Sequence, residues 1–225
     1  MSKETLKRFT RIHRHYDLLN HVFSLNADKS WRKEAAIASI MNKKRYRVLD
    51  VAGGTGDLTI SIYTEAHKRR LEPEIVCMDF NDDMLSHAAE KTVGMENVTV
   101  EHGDALHMKY PNSSFDVLAS SFALRNFDSL DRFSSEAYRV LRKGGKIVLV
   151  DMALPDSNAW FMRLYFKLID RAGSLVSPGA YKWLTRSIIN FDKNAALKTL
   201  SKNGFKGLKL KSLRMGVAFM ITGRK

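Results

Sequence analysis

Cysteine is almost absent: the one residue of that kind in 225, Cys77, excludes a disulfide framework within the chain and any cysteine-based zinc cage. Cys77 sits in an apolar run and reads as a buried strand residue rather than a reactive thiol. Also missing is any run of about eighteen uncharged apolar residues, which argues against a membrane span. The first residues, Met1-Ser2-Lys3-Glu4-Thr5-Leu6-Lys7-Arg8, lack the apolar core of a signal peptide. A cytoplasmic protein without membrane spans is therefore expected. No internal repeat, low-complexity tract or interdomain linker interrupts the chain, so residues 1–225 read as a single domain. Acids are in deficit, with 24 Asp and Glu against 37 Lys and Arg, for a formal charge of +13. Nucleic acid, anionic lipid, an acidic substrate or a merely solvated surface would each accommodate that charge. The basic residues are spread over the chain, so charge alone does not choose among them.

What is present is a change of period. Residues 1–43 read as helical. Leu6, Phe9, Ile12, Tyr16, Leu19 and Phe23 recur at spacings of three or four, and a second helix is expected from an Asp28 N-cap through Trp31 to about Ile40. From Arg45 strands and helices alternate, which predicts a mostly parallel, doubly wound sheet over residues 44–151. The expected strands end at Val51, Asp79, Glu101, Ser121 and Asp151, and Gly144 suits the C′ position of the helix before strand five. Residues 152–203 read as a helical insertion. Its first helix, from Asp156 to about Ala172, sets Trp160, Phe161, Leu164, Tyr165, Leu168 and Ile169 among Arg163, Lys167 and Arg171. Two closing strands within residues 204–225 lie so close together that they must pair antiparallel. The expected architecture is thus a seven-stranded α/β sheet with an antiparallel C-terminal hairpin.

The chemistry starts at Asp50-Val51-Ala52-Gly53-Gly54-Thr55-Gly56-Asp57, a strand, a glycine loop and a helix start. Glycines at Gly53, Gly54 and Gly56 let backbone N–H groups approach a ligand and tolerate positive φ. Asp79 ends strand two, where an acid commonly receives two ribose hydroxyls, with Phe80 beside it. A dinucleotide fingerprint would place a third glycine at position 59, which is Thr59. Asp50 would repel a pyrophosphate but not a sulfonium or an ammonium. These features, with the closing hairpin of a class I methyltransferase sheet, favour S-adenosylmethionine. No metal site is read from the sequence.

The segments Phe9…Tyr16-Asp17…Asn20…Ser24…Trp31-Arg32, Ala52-Gly53-Gly54-Thr55-Gly56-Asp57-Leu58-Thr59, Ser113-Ser114-Phe115-Asp116…Ser121-Phe122-Ala123-Leu124-Arg125-Asn126-Phe127 and Tyr138-Arg139-Val140-Leu141 resemble the ubiquinone/menaquinone biosynthesis C-methyltransferase family. The resemblance spans nearly the whole chain. It implies cofactor contacts at Thr59, Asp79, Asp104, Ala105 and Ser121, and transfer of a methyl group to a ring carbon of a prenylated quinol, with a demethylmenaquinol-type acceptor favoured. Asp104, at the end of strand three, is also placed to accept from an adenine amino group. Two departures stand out and are expected near the substrate: Leu106-His107-Met108 where the family shows Leu-Pro-Phe, and Asp151-Met152 where it shows Glu-Phe.

An aromatic carbon is a poor nucleophile until a neighbouring phenol loses its proton. Arg125, after strand four at the carboxyl edge of the sheet, is the first candidate to stabilise that phenolate or hold a water that takes the proton. A salt bridge to an acid such as Asp128 is its structural alternative. Asn126 and Tyr16 are similar to family positions that shape the pocket; Asp151, His13 and His15 are further candidates for proton transfer. A prenylated acceptor implies peripheral contact with an anionic membrane at its inner face, where the aromatic helix from Asp156 would serve. A homodimer is compatible with the sequence. Another small phenolic or polyketide acceptor, RNA, or a cofactor-binding regulatory role remain as alternatives. Nucleic acid is disfavoured, because Ser120-Ser121-Phe122-Ala123 is not an Asn/Asp-Pro-Pro-aromatic element and no catalytic cysteine is placed for cytosine chemistry.

Overall fold

A computed structural model describes residues 26–155, 159–173, 180–213 and 216–225. The expected first helix, with His13, His15 and Tyr16, lies outside the described residues. Seven strands form one sheet in the order β3-β2-β1-β4-β5-β7-β6. They are β1 Arg47–Val51, β2 Glu74–Asp79, β3 Val98–His102, β4 Phe115–Ser121, β5 Leu141–Met152, β6 Lys206–Ser212 and β7 Ala218–Arg224. β1 to β5 run parallel, and β7 pairs antiparallel with both β5 and β6. Seven helices accompany them among the described residues: α1 Ala27–Ala38, α2 Asp57–His67, α3 Asp82–Lys91, α4 Leu130–Val140, α5 Ala159–Gly173, α6 Ala180–Asn190 and α7 Lys193–Lys202.

Strand alternation divides the apolar residues between two cores. Val48, Val117 and Val148 face one cluster, with Trp31, Ile62, Phe166 and Ile188. Leu49, Leu118 and Leu149 face the other, with Phe133, Ala137, Phe219 and Ile221. Successive side chains point to opposite sides of a strand, so continuous apolar runs become the centre of a sheet covered on both faces. No helix among the described residues is long and apolar enough to cross a membrane.

Two local expectations are corrected. Asp28 is not the N-cap of α1; Asn26 takes that position in the left-handed region (φ 62°) with no side-chain cap bond. Asp28 is instead buried in the first turn, its carboxylate ion-paired to Arg32 one turn on. Gly144 does not close α4 either. That helix stops at Val140, and β5 begins at once, Leu141 pairing with Phe115. Gly144 and Gly145 then form an irregularity inside the strand. A Cβ on Gly145 would lie 2.8 Å from the Arg142 carbonyl oxygen, so this bend excludes a side chain.

Candidate active site

The order β2-β1-β4 makes the junction of β1 and β4 the switch point, where loops from adjacent strands turn opposite ways and leave a crevice. Each loop starts from a non-glycine residue in the left-handed region, Ala52 (φ 52°) and Phe122 (φ 61°). Such backbone persists only where its surroundings hold it. Here the Phe122 N–H donates to the Val150 carbonyl at 2.7 Å and the Gly53 N–H to the Met78 carbonyl at 3.0 Å. The resulting cleft is lined from both sides of the switch point, by Ala52, Gly53 and Gly54 after β1 and by Phe122, Ala123 and Asn126 after β4.

One end is acidic. Asp79 accepts the Gly54 N–H through one oxygen and the Asn81 N–H through the other, both at 2.9 Å. Burial pushes its carboxyl pKa up, and these backbone bonds pull it back. A carboxylate has about four acceptor sites, more than these backbone donors fill, so a ribose hydroxyl expected here has somewhere to bind. Asp104 also lines the cleft, one oxygen accepting the Leu106 N–H at 3.0 Å, so it is both a turn residue and a cleft residue. Phe80, Ala105 and Ser121 line the same wall.

Of the loop glycines, Gly53 and Gly54 face the cleft and Gly56 does not. A Cβ on Gly53 would sit 2.6 Å from the Cys77 sulfur, so the loop lies flat on the buried end of β2. Gly56 is the N-cap of α2 (φ 82°), pressed against Ala88 of α3. Asp50 and Thr59, expected as cofactor contacts, are both fully buried beneath the loop rather than in the cleft wall. The Thr59 hydroxyl donates to one Asp50 oxygen at 2.7 Å; the other Asp50 oxygen has no hydrogen-bond partner. Burial, opposed by the Thr59 bonds, pushes the Asp50 carboxyl up to about 7. Their place is support of the loop from below, with a carboxyl poised between neutral and charged.

The opposite wall comes from the segment after β4. Asn126 lines the cleft; its amide nitrogen donates to the Phe122 carbonyl at 3.3 Å, and its buried Oδ1 has no hydrogen-bond partner. Arg125 requires a correction. Its side chain is 1% exposed and ion-paired to Asp151, itself fully buried, and Asp128 is not its partner in that pair. The Arg125 backbone N–H also reaches Asp151, at 3.2 Å. Burial raises the Asp151 pKa, and the guanidinium opposes that rise. Arg125 therefore anchors the 3-10 turn Leu124–Asn126 to the end of β5 and aims Asn126, rather than standing in the cleft as a free cation.

Sequence reasoning missed Arg32, Phe122, Phe127 and Met84, all of which line the cleft. The buried stripe of α1 is Asp28, Trp31, Arg32, Ala35 and Ala36, helical spacing with an opposite-charge pair at i,i+4 inside it. Charges within an otherwise apolar stripe were the available signal.

Comparison with known proteins draws these features together. The family model described as the ubiE/COQ5 methyltransferase family matches residues 2–225. This chain belongs to that family. It is similar to a demethylmenaquinone methyltransferase of Deinococcus radiodurans, 38% identical over 224 residues that cover 96% of this chain and 90% of the relative. A second relative with that description, from Staphylococcus aureus, is 34% identical over 233 residues, covering 100% of this chain and 94% of its own. Among solved structures, a SAM-dependent methyltransferase from Thermotoga maritima superposes with a TM-score of 0.69 at 16% identity, covering 98% of this chain and 99% of that one. That likeness supports the fold.

As a member of the ubiE/COQ5 family the chain is a methyltransferase, and S-adenosylmethionine is its cofactor. The cleft suits it: Asp79 and Asp104 offer acceptors to an adenosine, and the acid beneath the glycine loop favours a cationic ligand. The segments 106–108 and 151–152, expected near the substrate, do not line the cleft. Met108 and Met152 are 3% and 4% exposed and belong one to each core.

Proposed function

We propose that this methyltransferase alkylates a ring carbon of a prenylated quinol, with a demethylmenaquinol-type naphthoquinol as acceptor. The full-length similarity to two demethylmenaquinone methyltransferases carries this reading and favours it over another phenol, a polyketide or RNA. When bound, S-adenosylmethionine supplies an electrophilic methyl group on positively charged sulfur. Asp79 and Asp104 would hold the adenosine, with Phe80 and Ala105 around it, and Ser121 would close that wall. Asn126 would orient the acceptor, its partnerless Oδ1 taking the hydrogen bond of a ring hydroxyl. Phe122, Phe127 and Met84 add apolar surface to the wall, which limits water and strengthens the polar contacts beside it. Asn126 would hold the ring hydroxyl while its proton passes to solvent, which would place charge on the ring carbon to which the cofactor would supply its methyl group, the ring proton then also passing to solvent. Positioning of the two reactants is a large contribution such a site makes.

The acceptor lives in a bilayer, and α5 offers a surface for reaching it. Trp160 and Leu164 are 71% and 49% exposed, and Arg163, Lys167 and Arg171 are exposed on the same helix. This pattern fits peripheral contact with anionic lipid, at about 1 kcal/mol per well-placed cation. The acceptor is tested by offering reduced demethylmenaquinone, a reduced demethylated ubiquinone precursor and a simple naphthol in anionic and neutral vesicles. Methylation of the prenylated naphthoquinol, faster in anionic vesicles, is expected. Methylation of the simple naphthol alone overturns the acceptor, and equal rates in both vesicles at low salt overturn the membrane contact.

A further inference from the structure

We infer that Arg32 is the receptor for the carboxylate at the amino-acid end of the cofactor, and that it fixes which way round the cofactor lies. This rests on S-adenosylmethionine as the ligand of the cleft. Among the described residues that line the cleft, Arg32 is the one cation, and the other charged residues there are Asp57, Asp79 and Asp104. S-adenosylmethionine carries a single anionic group, so one receptor for it is what charge matching requires.

The guanidinium is held for this task. Its side chain is 6% exposed and lies with its central carbon 5.0 Å from the centre of the Phe122 ring. Nη1 carries two ion pairs to described residues, one to Asp28 and one to Asp57 at 3.5 Å. Nε is buried and has no hydrogen-bond partner. Nε and Nη2 form the edge that grips a carboxylate through two parallel bonds, and among the described residues neither carries an ion pair. A buried charged donor without an acceptor is unfavourable, and a ligand carboxylate on this edge removes the penalty.

Position along the sheet agrees. The acids suited to adenosine end β2 and follow β3, on one side of β1. Arg32 packs on Phe122, which follows β4 on the other side. The adenosine then lies toward β2 and β3 and the amino-acid end toward β4. The carboxylate of Asp28 has a role in this arrangement: it is a positioning residue that keeps Arg32 extended from α1 into the cleft.

Calorimetric titration of the full chain with three probes tests the assignment. S-adenosylhomocysteine has the carboxylate, decarboxylated S-adenosylhomocysteine lacks only that group, and methylthioadenosine lacks the whole amino-acid end. For the wild type, loss of the carboxylate should weaken binding about 30-fold, the value of a charge-assisted pair of bonds. In Arg32→Met the two homocysteine probes should bind within about threefold of each other, while methylthioadenosine keeps its wild-type affinity within the same factor. Because Arg32→Met removes the ion pair to Asp28, the double variant Asp28→Asn with Arg32→Met is titrated beside it and should show the same collapse. Undiminished discrimination in both variants, or none in the wild type, overturns the assignment. Failure of the wild type to bind any of the three probes would instead overturn the cofactor itself.

Discussion

Asp50 makes the stability of this protein depend on pH in a direction opposite to that of most carboxylates. The residue is fully buried, with one oxygen bonded to Thr59 and the other unpartnered. Its carboxyl is pushed from an ordinary value of 3.8 to about 7. A carboxyl whose pKa is higher folded than unfolded takes up a proton on folding between those two values. The stability that goes with this uptake is fully present below about pH 4 and is lost as pH rises through about pH 7. The difference corresponds to about 4 kcal/mol in all, of which about 3 kcal/mol is lost between pH 5 and pH 8. Asp50→Asn keeps the shape and cannot titrate. Urea unfolding of both proteins at pH 5 and pH 8 should show the wild type losing about 3 kcal/mol more than the variant over that interval. Asp151, whose pKa is also raised by burial, titrates in both proteins and drops out of the comparison, while the charge of Asp79 is one of the causes of the Asp50 shift and is part of what the variant removes. Parallel pH dependences in the two proteins would refute the reasoning. The same carboxyl faces the underside of the loop that receives a cationic ligand, so binding of S-adenosylmethionine should release a proton near pH 7 in the wild type and none in the variant.

Gly53→Ala places a Cβ 2.6 Å from the Cys77 sulfur and should weaken S-adenosylhomocysteine binding at least about tenfold by calorimetry, with partial recovery when Cys77→Ala is added. Arg125→Ala leaves the Asp151 carboxylate buried without its cation and should lower urea stability by about 3 kcal/mol; adding Asp151→Ala should restore part of it. Asn126→Ala should reduce kcat/KM for the quinol about tenfold or more while S-adenosylhomocysteine affinity stays within about twofold, which steady-state assays and calorimetry together check.

The sheet was legible because its strands are apolar runs bounded by turns, and because two strands so close together leave only an antiparallel pairing. The glycine loop was legible for a related reason: three glycines in four positions after a strand have few other uses. What escaped was depth. Asp50 and Thr59 belong to the right loop and strand, but no spacing tells a residue lining a cleft from one beneath it. Arg125 and Asp151 are 26 positions apart, and the β4–β5 pairing that brings their segments together is a tertiary fact. Arg32 was passed over because Asp and Arg at i,i+4 usually mark a solvated helix face. Only the packing of Trp31 and Ala35 on the sheet turns that face inward. Gly144 misled because a glycine after a helix usually caps it, and here the chain passes from helix to strand before reaching it.

The central claim is carbon methylation of a prenylated quinol ring in the cleft at the β1–β4 switch point. Its most direct test is a single incubation of the full chain with S-adenosylmethionine bearing a deuterated methyl group and reduced demethylmenaquinone in anionic vesicles. The lipid product is then analysed by mass and by carbon and deuterium NMR. The account predicts an intact deuterated methyl bonded to the ring carbon, with both ring hydroxyls free. Label found on a ring oxygen, or no label in the quinol while the same preparation binds S-adenosylhomocysteine, would contradict it.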